Sequence, residues 1–392
     1  MKDIYIEQMH LHMFKGHQDI QLSFDEINQI FGRNASGKST IADAFCFAFT
    51  GLNFWGNKFI NPINQGTIAW VESTVSADSK MMTFKRILEE NAGKIKTILT
   101  EEVSVDKETF LSTVNPRYFV SLTPAAAKEV LLKVANLESD SLPTCYPETA
   151  DIIDKAEEII GNDPMPLIKK WEAAESCKKA INAEIKEINE LKAQTEGKIM
   201  AYEQSVEFFK NNNIEMSEEM ADSIDMFVLA GNQRLVQLAN QKDSLTKKVK
   251  LIDQYRSLLT KLAVKSIEDE LDDVTIKLEE NGKDVFVVTY KDRDYKTLSN
   301  SEQLLAGLEI VNAISSVANI SYPCFVDNAE ALQVQDLSPY PAIPQFILLN
   351  VADVDLTLYE NGVLTNPVTK ETMVRSKDSL VPNVTIVGGW DR

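Results

Sequence analysis

A chain of 392 residues has room for two domains, or for one large head carrying an insertion. Its 59 acidic against 40 basic side chains give a formal charge of −19, which excludes a surface that clings to DNA by bulk electrostatics and confines any DNA contact to a local patch. The four cysteines, Cys46, Cys145, Cys177 and Cys324, show no C-x-x-C spacing, so neither a disulfide framework nor a zinc site is indicated. No apolar run approaches the ~20 residues of a membrane helix, and a soluble protein of a reducing, cytoplasmic compartment is expected.

From the amino end, Ile4-Tyr5-Ile6 and Ile20-Gln21-Leu22-Ser23-Phe24 alternate like strands, and Ile27-Asn28-Gln29-Ile30-Phe31 reads as a short strand. It feeds Gly32-Arg33-Asn34-Ala35-Ser36-Gly37-Lys38-Ser39-Thr40, a full G-x-x-x-x-G-K-[ST] phosphate loop. Ile41, Ala44, Phe45, Ala48 and Phe49 then recur at helical spacing until Gly51. The expected nucleotide-binding set is Asn34, Ala35, Ser36, Gly37, Lys38, Ser39 and Thr40: backbone N–H groups wrap a phosphate, Lys38 reaches the β- and γ-oxygens, and the Ser39 hydroxyl takes one position on Mg²⁺. ATP with Mg²⁺ is the expected cofactor. Ala35 stands where glycine is usual, a change that is tolerated if its φ is negative.

Strand-like runs follow at Thr67 to Val75, Met81 to Leu88 and Lys94 to Leu99, and Thr123-Pro124 opens a helix at Ala125. Beyond Pro166 the prolines vanish and two heptad series appear, one from Leu167 through Ile181 and Ile199 to Phe209, the other from Leu235 to Leu259. Asn211-Asn212-Asn213 lies between them and predicts a reversal, hence an antiparallel coiled-coil arm. The lysines Lys169, Lys170, Lys178, Lys179, Lys247, Lys248 and Lys250 are the arm's candidates for contact with DNA phosphates, or else an ordinary solvated face.

Past the arm, Asn281-Gly282 between two β-branched runs predicts a hairpin. Ser299 with Glu302 has capping-box spacing at the start of a helix to about Val317. Such a helix start can also grip a γ-phosphate presented by another subunit. Tyr322 to Val326 reads as a buried strand ending at Asp327, placed to partner Mg²⁺ through water, and Glu330 is the candidate to polarise the attacking water. Lys38, Asp327 and Glu330 form the expected catalytic set, with Ser39 and Asp327 at the metal. Three segments follow: 1–165 as the amino-terminal half of the head, 166–264 as the arm, and 265–392 as the carboxy-terminal half.

That order of phosphate loop, helical arm, serine-led cap and acid-ended strand resembles the ABC-type ATPase heads of the SMC, RecF and SbcC group. Within it, the small SbcC-like ATPases of bacteriophages carry segments similar to Asn115-Pro116-Arg117-Tyr118-Phe119 and Val326-Asp327-Asn328-Ala329-Glu330. The resemblance implies an α/β fold, a P-loop NTPase head of ABC type split by an antiparallel coiled-coil insertion. It also implies that Phe14-Lys15-Gly16-His17 approaches the nucleotide through Lys15 and His17, that Ser299-Asn300-Ser301-Glu302 is the signature motif, and that Asp327 is the Walker B acid. Implied partners are a second copy of the chain joined through ATP, DNA, and a nuclease or annealing protein; implied work is DNA recombination, replication or repair. Asn328 replaces the glutamate usual after the Walker B acid, which slows hydrolysis unless Glu330 substitutes. Gln65 is the candidate for the metal-sensing glutamine, and the arm tip lacks the cysteines of a zinc hook. A weakly hydrolysing nucleotide-gated scaffold in phage–host conflict and a simple P-loop NTPase or kinase are the alternative classes.

Overall fold

The computed structural model describes residues 2–352 apart from 61, 79, 92–93, 101–104, 136 and 281–282, and beyond 352 only 357–360, 363–365, 372–373 and 386–387. Two compact units result: residues 1–136 with 263–392 form the head, and residues 137–262 form the arm.

The head is organised by three apolar strands. Ile27–Gly32 lies parallel to Phe346–Val351, which lies parallel to Cys324–Asp327. Cys324 to Val326 and Phe346 to Leu349 are continuous buried apolar runs, as strands covered on both faces require. Parallel alignment brings their carboxyl ends to one edge, so the loop after Gly32 and the acid at Asp327 become neighbours although 295 positions apart in a 392-residue chain.

The helix Lys38–Thr50 springs from that edge and is buried at every residue except Ser39. A helix apolar on all sides must be covered on all sides. Phe45 packs on Phe325 of the parallel sheet with ring centres 5.3 Å apart, while Phe47 meets Phe14 and Phe49 meets Phe84, both at 5.3 Å, on a second sheet. Arg86 closes the helix end, donating from Nε to the Ala48 carbonyl and from Nη2 to the Phe49 carbonyl, each at 3.2 Å.

The second sheet centres on Lys2–Phe14, which pairs antiparallel with His17–Ser23 and Ile68–Ala77, continues through Lys80–Asn91 and Lys94–Leu99, and takes Ile320–Ser321 as a parallel edge. Ile4 and Ile6 are buried, then Met9 and Leu11. The change of parity coincides with a register shift between Ile6 and Gln8, where one extra residue turns the alternation over without losing the core face.

In the carboxy-terminal part of the head, Val274–Glu280 and Lys283–Tyr290 pair antiparallel as the hairpin reading expects, with the Asn281-Gly282 turn itself outside the described residues. The helix Asn300–Ala318 is tied to this hairpin by Glu309, whose buried carboxylate oxygen accepts the backbone N–H groups of Asp272, Asp273 and Val274 at 2.7, 2.8 and 2.9 Å. Three backbone N–H groups converge on one carboxylate oxygen, the charge-assisted kind of hydrogen bond.

Leu167–Asn211 is a helix of 45 residues and Glu218–Glu268 a helix of 51. Arg256 lies over the Trp171 ring and pairs with Glu175, Lys178 pairs with Asp253, Ile199 faces Gly231, and Tyr202 stacks on Phe227. As one residue number rises its partner's falls in step, the register of antiparallel helices. Buried Ala174, Ile181 and Ile199 fall in the expected heptad seam.

Residues 137–165 group with the arm rather than with the head. Tyr255 donates to Glu157 at 2.8 Å, and fully buried Lys170 donates to the carbonyls of Gly161 (2.5 Å) and Asp163 (3.1 Å), so this segment is bound to the helices it precedes. Lys170 is therefore corrected from a candidate DNA contact to a core cation. Lys169, Lys178, Lys179 and Lys247 each meet an acid of the arm. No helix among the described residues is long and apolar enough to cross a membrane.

Candidate nucleotide-binding site

Between strand and helix, the loop closes on itself through Ser36 N–H to the Arg33 carbonyl (3.2 Å) and Thr40 N–H to the Gly37 carbonyl (3.0 Å). Gly37 has φ +93°, and a Cβ there would lie 2.6 Å from Nε2 of His17, so conformation and space both demand glycine. Ala35 departs from the sequence expectation: its φ is +64°, not negative. The methyl sits in the left-handed region that costs a residue with a Cβ about 1–2 kcal/mol. Ala35→Gly is therefore expected to raise stability by about 0.5–1 kcal/mol, allowing for glycine's greater freedom when unfolded, as a higher denaturant midpoint at unchanged slope.

Lys15, Gly16, Asn34 to Thr40, Asp327, Asn328 and Val351 line a single cleft of about 380 Å³. Inside it Lys38 is buried, its ammonium donating to the carbonyls of Gly32 (2.6 Å) and Arg33 (2.8 Å). Burial lowers its pKa from the ordinary lysine value, and the Asp327 and Glu330 carboxylates oppose that shift. The hydroxyl of Ser36 is buried with no hydrogen-bond partner among the described residues. A buried hydroxyl without a partner is costly, and a phosphate oxygen in the cleft would satisfy it. The residues present thus fit a nucleotide triphosphate.

They fit its metal too. The Ser39 hydroxyl and the Asp327 carboxylate converge, Oγ to Oδ2 3.5 Å, a pair of hard oxygen donors. Mg²⁺ takes few protein ligands and completes its shell with water and phosphate, so two such donors would suffice to hold it beside a bound triphosphate. Burial raises the Asp327 pKa above the ordinary carboxylate value, while the Asn328 N–H, Lys38, Arg117 and Ser39 pull the other way.

Lys15 reaches the cleft from a left-handed residue with φ +49° and pairs with Asp43 of the loop helix, its ammonium 5.7 Å from the centre of the Phe59 ring. His17 stands behind the loop rather than in the cleft, buried, with Nε2 3.1 Å from the Gly37 carbonyl. Burial lowers its pKa from 6.5, the Lys15 cation acts in the same sense, and the Gly37 carbonyl opposes both. The folded protein thus resists a proton that the unfolded chain accepts, so His17 takes nothing from stability above about pH 6.5 and costs increasingly as pH falls through that value toward the folded-state pKa. In melts from pH 7 to pH 5 the wild type should lose more stability than His17→Gln.

Glu330 is exposed and absent from the cleft lining; its Oε2 accepts the Val351 N–H at 3.3 Å. Gln65 is also outside the lining. Ser299 caps Asn300–Ala318 with the full reciprocal box: Glu302 N–H donates to Ser299 Oγ (3.4 Å), and Ser299 N–H donates back to Glu302 (3.0 Å). Those bonds and Arg293 hold the Glu302 carboxyl down to about 2. Ser299 does not line the cleft of its own chain. Sequence reasoning gave no role to Arg117, which hydrogen-bonds Asn300 and whose charge acts on Asp327. Its only signal was the Asn115 to Phe119 segment.

Residues 8–306 match the AAA_23 family, described as an AAA domain. No curated protein matches the chain. Among solved structures, the Smc head domain with an extended coiled coil bound to the C-terminal domain of ScpA, from Pyrococcus furiosus, is 15% identical over 89% of this chain and 90% of that one, with a TM-score of 0.42. RecF with ATP, a recombination mediator of the RecFOR pathway, is 15% identical over 90% and 94%, with a TM-score of 0.41. The SMC head domain from Thermotoga maritima is 13% identical over 88% and 89%, with a TM-score of 0.30. These similarities are distant, and the assignment is carried by the family match, which takes in the phosphate loop, the arm and the cap of Asn300–Ala318. The chain belongs to the AAA_23 family, and it is an ATP-binding P-loop ATPase.

Proposed function

We propose that the protein is an SMC- or SbcC-like ATPase whose head pairs with a second copy around ATP, and that this cycle serves DNA recombination, replication or repair. The observation that supports it best is the division of the site: Ser36, Lys38, Ser39 and Asp327 share one cleft, whereas Ser299 heads a capped helix outside it. A triphosphate held by Lys38 and Ser39 of one copy would meet Ser299 of the other. Made twice about a two-fold axis, that contact closes, so a homodimer is the expected assembly. Bound Mg²⁺ would neutralise triphosphate charge beside Ser39 and Asp327. ATP then acts as a ligand of the dimer, shifting association by its preference for the paired state.

A second reading is favoured by one observation. Asn328 occupies the position after the Walker B acid with φ +56°, and the carboxylate of Glu330 is turned to Val351 N–H at the rim. Weak turnover would suit a nucleotide-gated scaffold or sensor in phage–host conflict. The phage relationship, action in the host cytoplasm, and a nuclease or annealing-protein partner belong to this proposal. With lysines of the arm engaged by acids and the net charge at −19, contact with DNA would be local.

Light scattering with saturating ATP and Mg²⁺, followed by phosphate release with and without DNA, tests both readings. ATP-linked dimers with DNA-stimulated turnover support the first, and dimers with negligible turnover support the second. A monomer in saturating ATP removes the shared-site mechanism.

A further inference from the structure

A second cleft of about 450 Å³ lies in the head and shares no lining residue with the nucleotide cleft. Phe286, Val287 and Val288 all line it. Successive residues of a strand point to opposite faces, so a cleft that touches three in a row runs along the strand's edge rather than over one of its faces.

That edge is open for a local reason. Lys291 and Asp292, with φ +50° and +60°, turn the chain tightly after Lys283–Tyr290, and the returning strand Arg293–Asp294 pairs only with Thr289 and Tyr290. Asp294 then ends the strand by capping the turn Tyr295–Thr297, its Oδ1 accepting the Lys296 N–H at 2.8 Å. On the other side of the strand, the Lys291 N–H donates to the Asp273 carbonyl at 2.9 Å. Alternation turns the backbone groups of Val288, three residues back, to the opposite side, where no strand pairs with them among the described residues.

An uncovered sheet edge is a template for another strand, and folded proteins blunt or cover it. Here it is framed by a built cleft instead. Tyr295 and Gln303 fix one wall, the Tyr295 hydroxyl donating to the Gln303 carbonyl and Gln303 Nε2 to the Tyr295 carbonyl, both at 3.3 Å. Exposed Trp55 and Val287 supply apolar surface. Two cations, Arg117 and Lys296, stand against one acid, Asp294, whose carboxylate already serves as the cap. In a chain of net charge −19 this is a local reversal of sign. Arg117 also has a donor to spare: its guanidinium bonds Asn300, but its Nε is buried without a hydrogen-bond partner among the described residues. A carboxylate entering the cleft would satisfy it.

We propose that this cleft is a docking site for an extended acidic segment of another protein, which adds as a strand to the open edge at Val288, lays an apolar side chain against Trp55 and gives a carboxylate to Arg117. In such strand additions the backbone pairing supplies affinity and the alternate side chains supply specificity. An oligonucleotide would answer the cations and the indole, but it has no strand to offer the edge.

The test selects short random peptides, displayed on phage, on the full-length protein, and titrates the enriched sequences as synthetic peptides. Sequences that alternate apolar and acidic residues should emerge. N-methylation of alternate backbone nitrogens, which keeps the side chains and removes the donors along one edge of the peptide, should weaken binding at least 10-fold in one of its two registers. Bound peptide should slow amide hydrogen exchange at Val288 at least 10-fold, which contacts elsewhere in the cleft would not do. R117Q should weaken an acidic peptide at least 5-fold and leave its glutamine counterpart unchanged; W55A, at an exposed position, should weaken both at least 5-fold with the wild-type melting curve. No enrichment, selection of basic sequences, indifference to N-methylation in both registers, or displacement by a thymidine oligonucleotide overturns the proposal. Self-association of the protein that W55A abolishes overturns it in favour of a second copy at this edge. None of these measurements contains ATP, so they stand or fall apart from the reading of the phosphate loop.

Discussion

Replacing Lys38 with alanine is expected to lower ATP affinity at least 100-fold, about 3 kcal/mol of lost charge-assisted bonding, and to abolish ATP-linked dimers, while the fold survives. The separation of binding from folding follows from the partners of Lys38. Its ammonium bonds the Gly32 and Arg33 carbonyls, but Gly32 O also accepts the Ala352 N–H at 3.1 Å and Arg33 O accepts the Ser36 N–H at 3.2 Å. Neither carbonyl is orphaned by the substitution. Removing a cation already disfavoured by burial also spares its desolvation. Calorimetric titration should therefore show no binding heat at micromolar concentrations, with a melting curve close to wild type. Simultaneous loss of binding and of the cooperative melt would mean that Lys38 is structural instead.

Gly307→Ala is expected to have the largest effect on stability, a loss of about 3 kcal/mol or more, because the new methyl would collide with backbone rather than with a side chain that can turn away. The carbonyl oxygen of Pro116 would be 2.1 Å from it and the carbonyl carbon 2.8 Å. Relief requires the helix or the turn to shift, and the turn is held by Asn115 to Phe54 and by Arg117 to Asn300. For a domain of this size the melting temperature should fall by about 6–12 °C. The same change at Gly197, mid-helix with nothing within 4 Å of the added atom, should instead raise stability by about 0.5–1 kcal/mol through helix propensity. Opposite signs from one chemical change would establish that close approach, not glycine content, governs the first site.

How much of this was legible in the sequence depended on how local the determinants were. The phosphate loop and the heptad seams are set by residues close together in the chain, and they appear where pattern places them. Asp327 was legible because an apolar run ending in an acid is a strand signal in itself. The positive φ of Ala35 was not, since the residue type at that position does not disclose the backbone conformation of the closed loop. Arg117 was not, because its partner Asn300 lies 183 positions away. The placement of 137–165 with the arm was hidden for the same reason: what binds that segment is Lys170 and Tyr255, beyond its own end.

A head built from both sides of an intervening arm has a consequence for biosynthesis. When the arm has just left the ribosome, Ile27–Gly32 has not yet met Phe346–Val351, and Asp327 has not been translated. The nascent amino-terminal segment must wait, with an unpaired apolar strand, through more than 200 residues of elongation, a situation that invites chaperone capture or aggregation. Affinity for nucleotide then emerges late in synthesis, so an interrupted translation product carries a complete glycine-lysine motif and no working pocket.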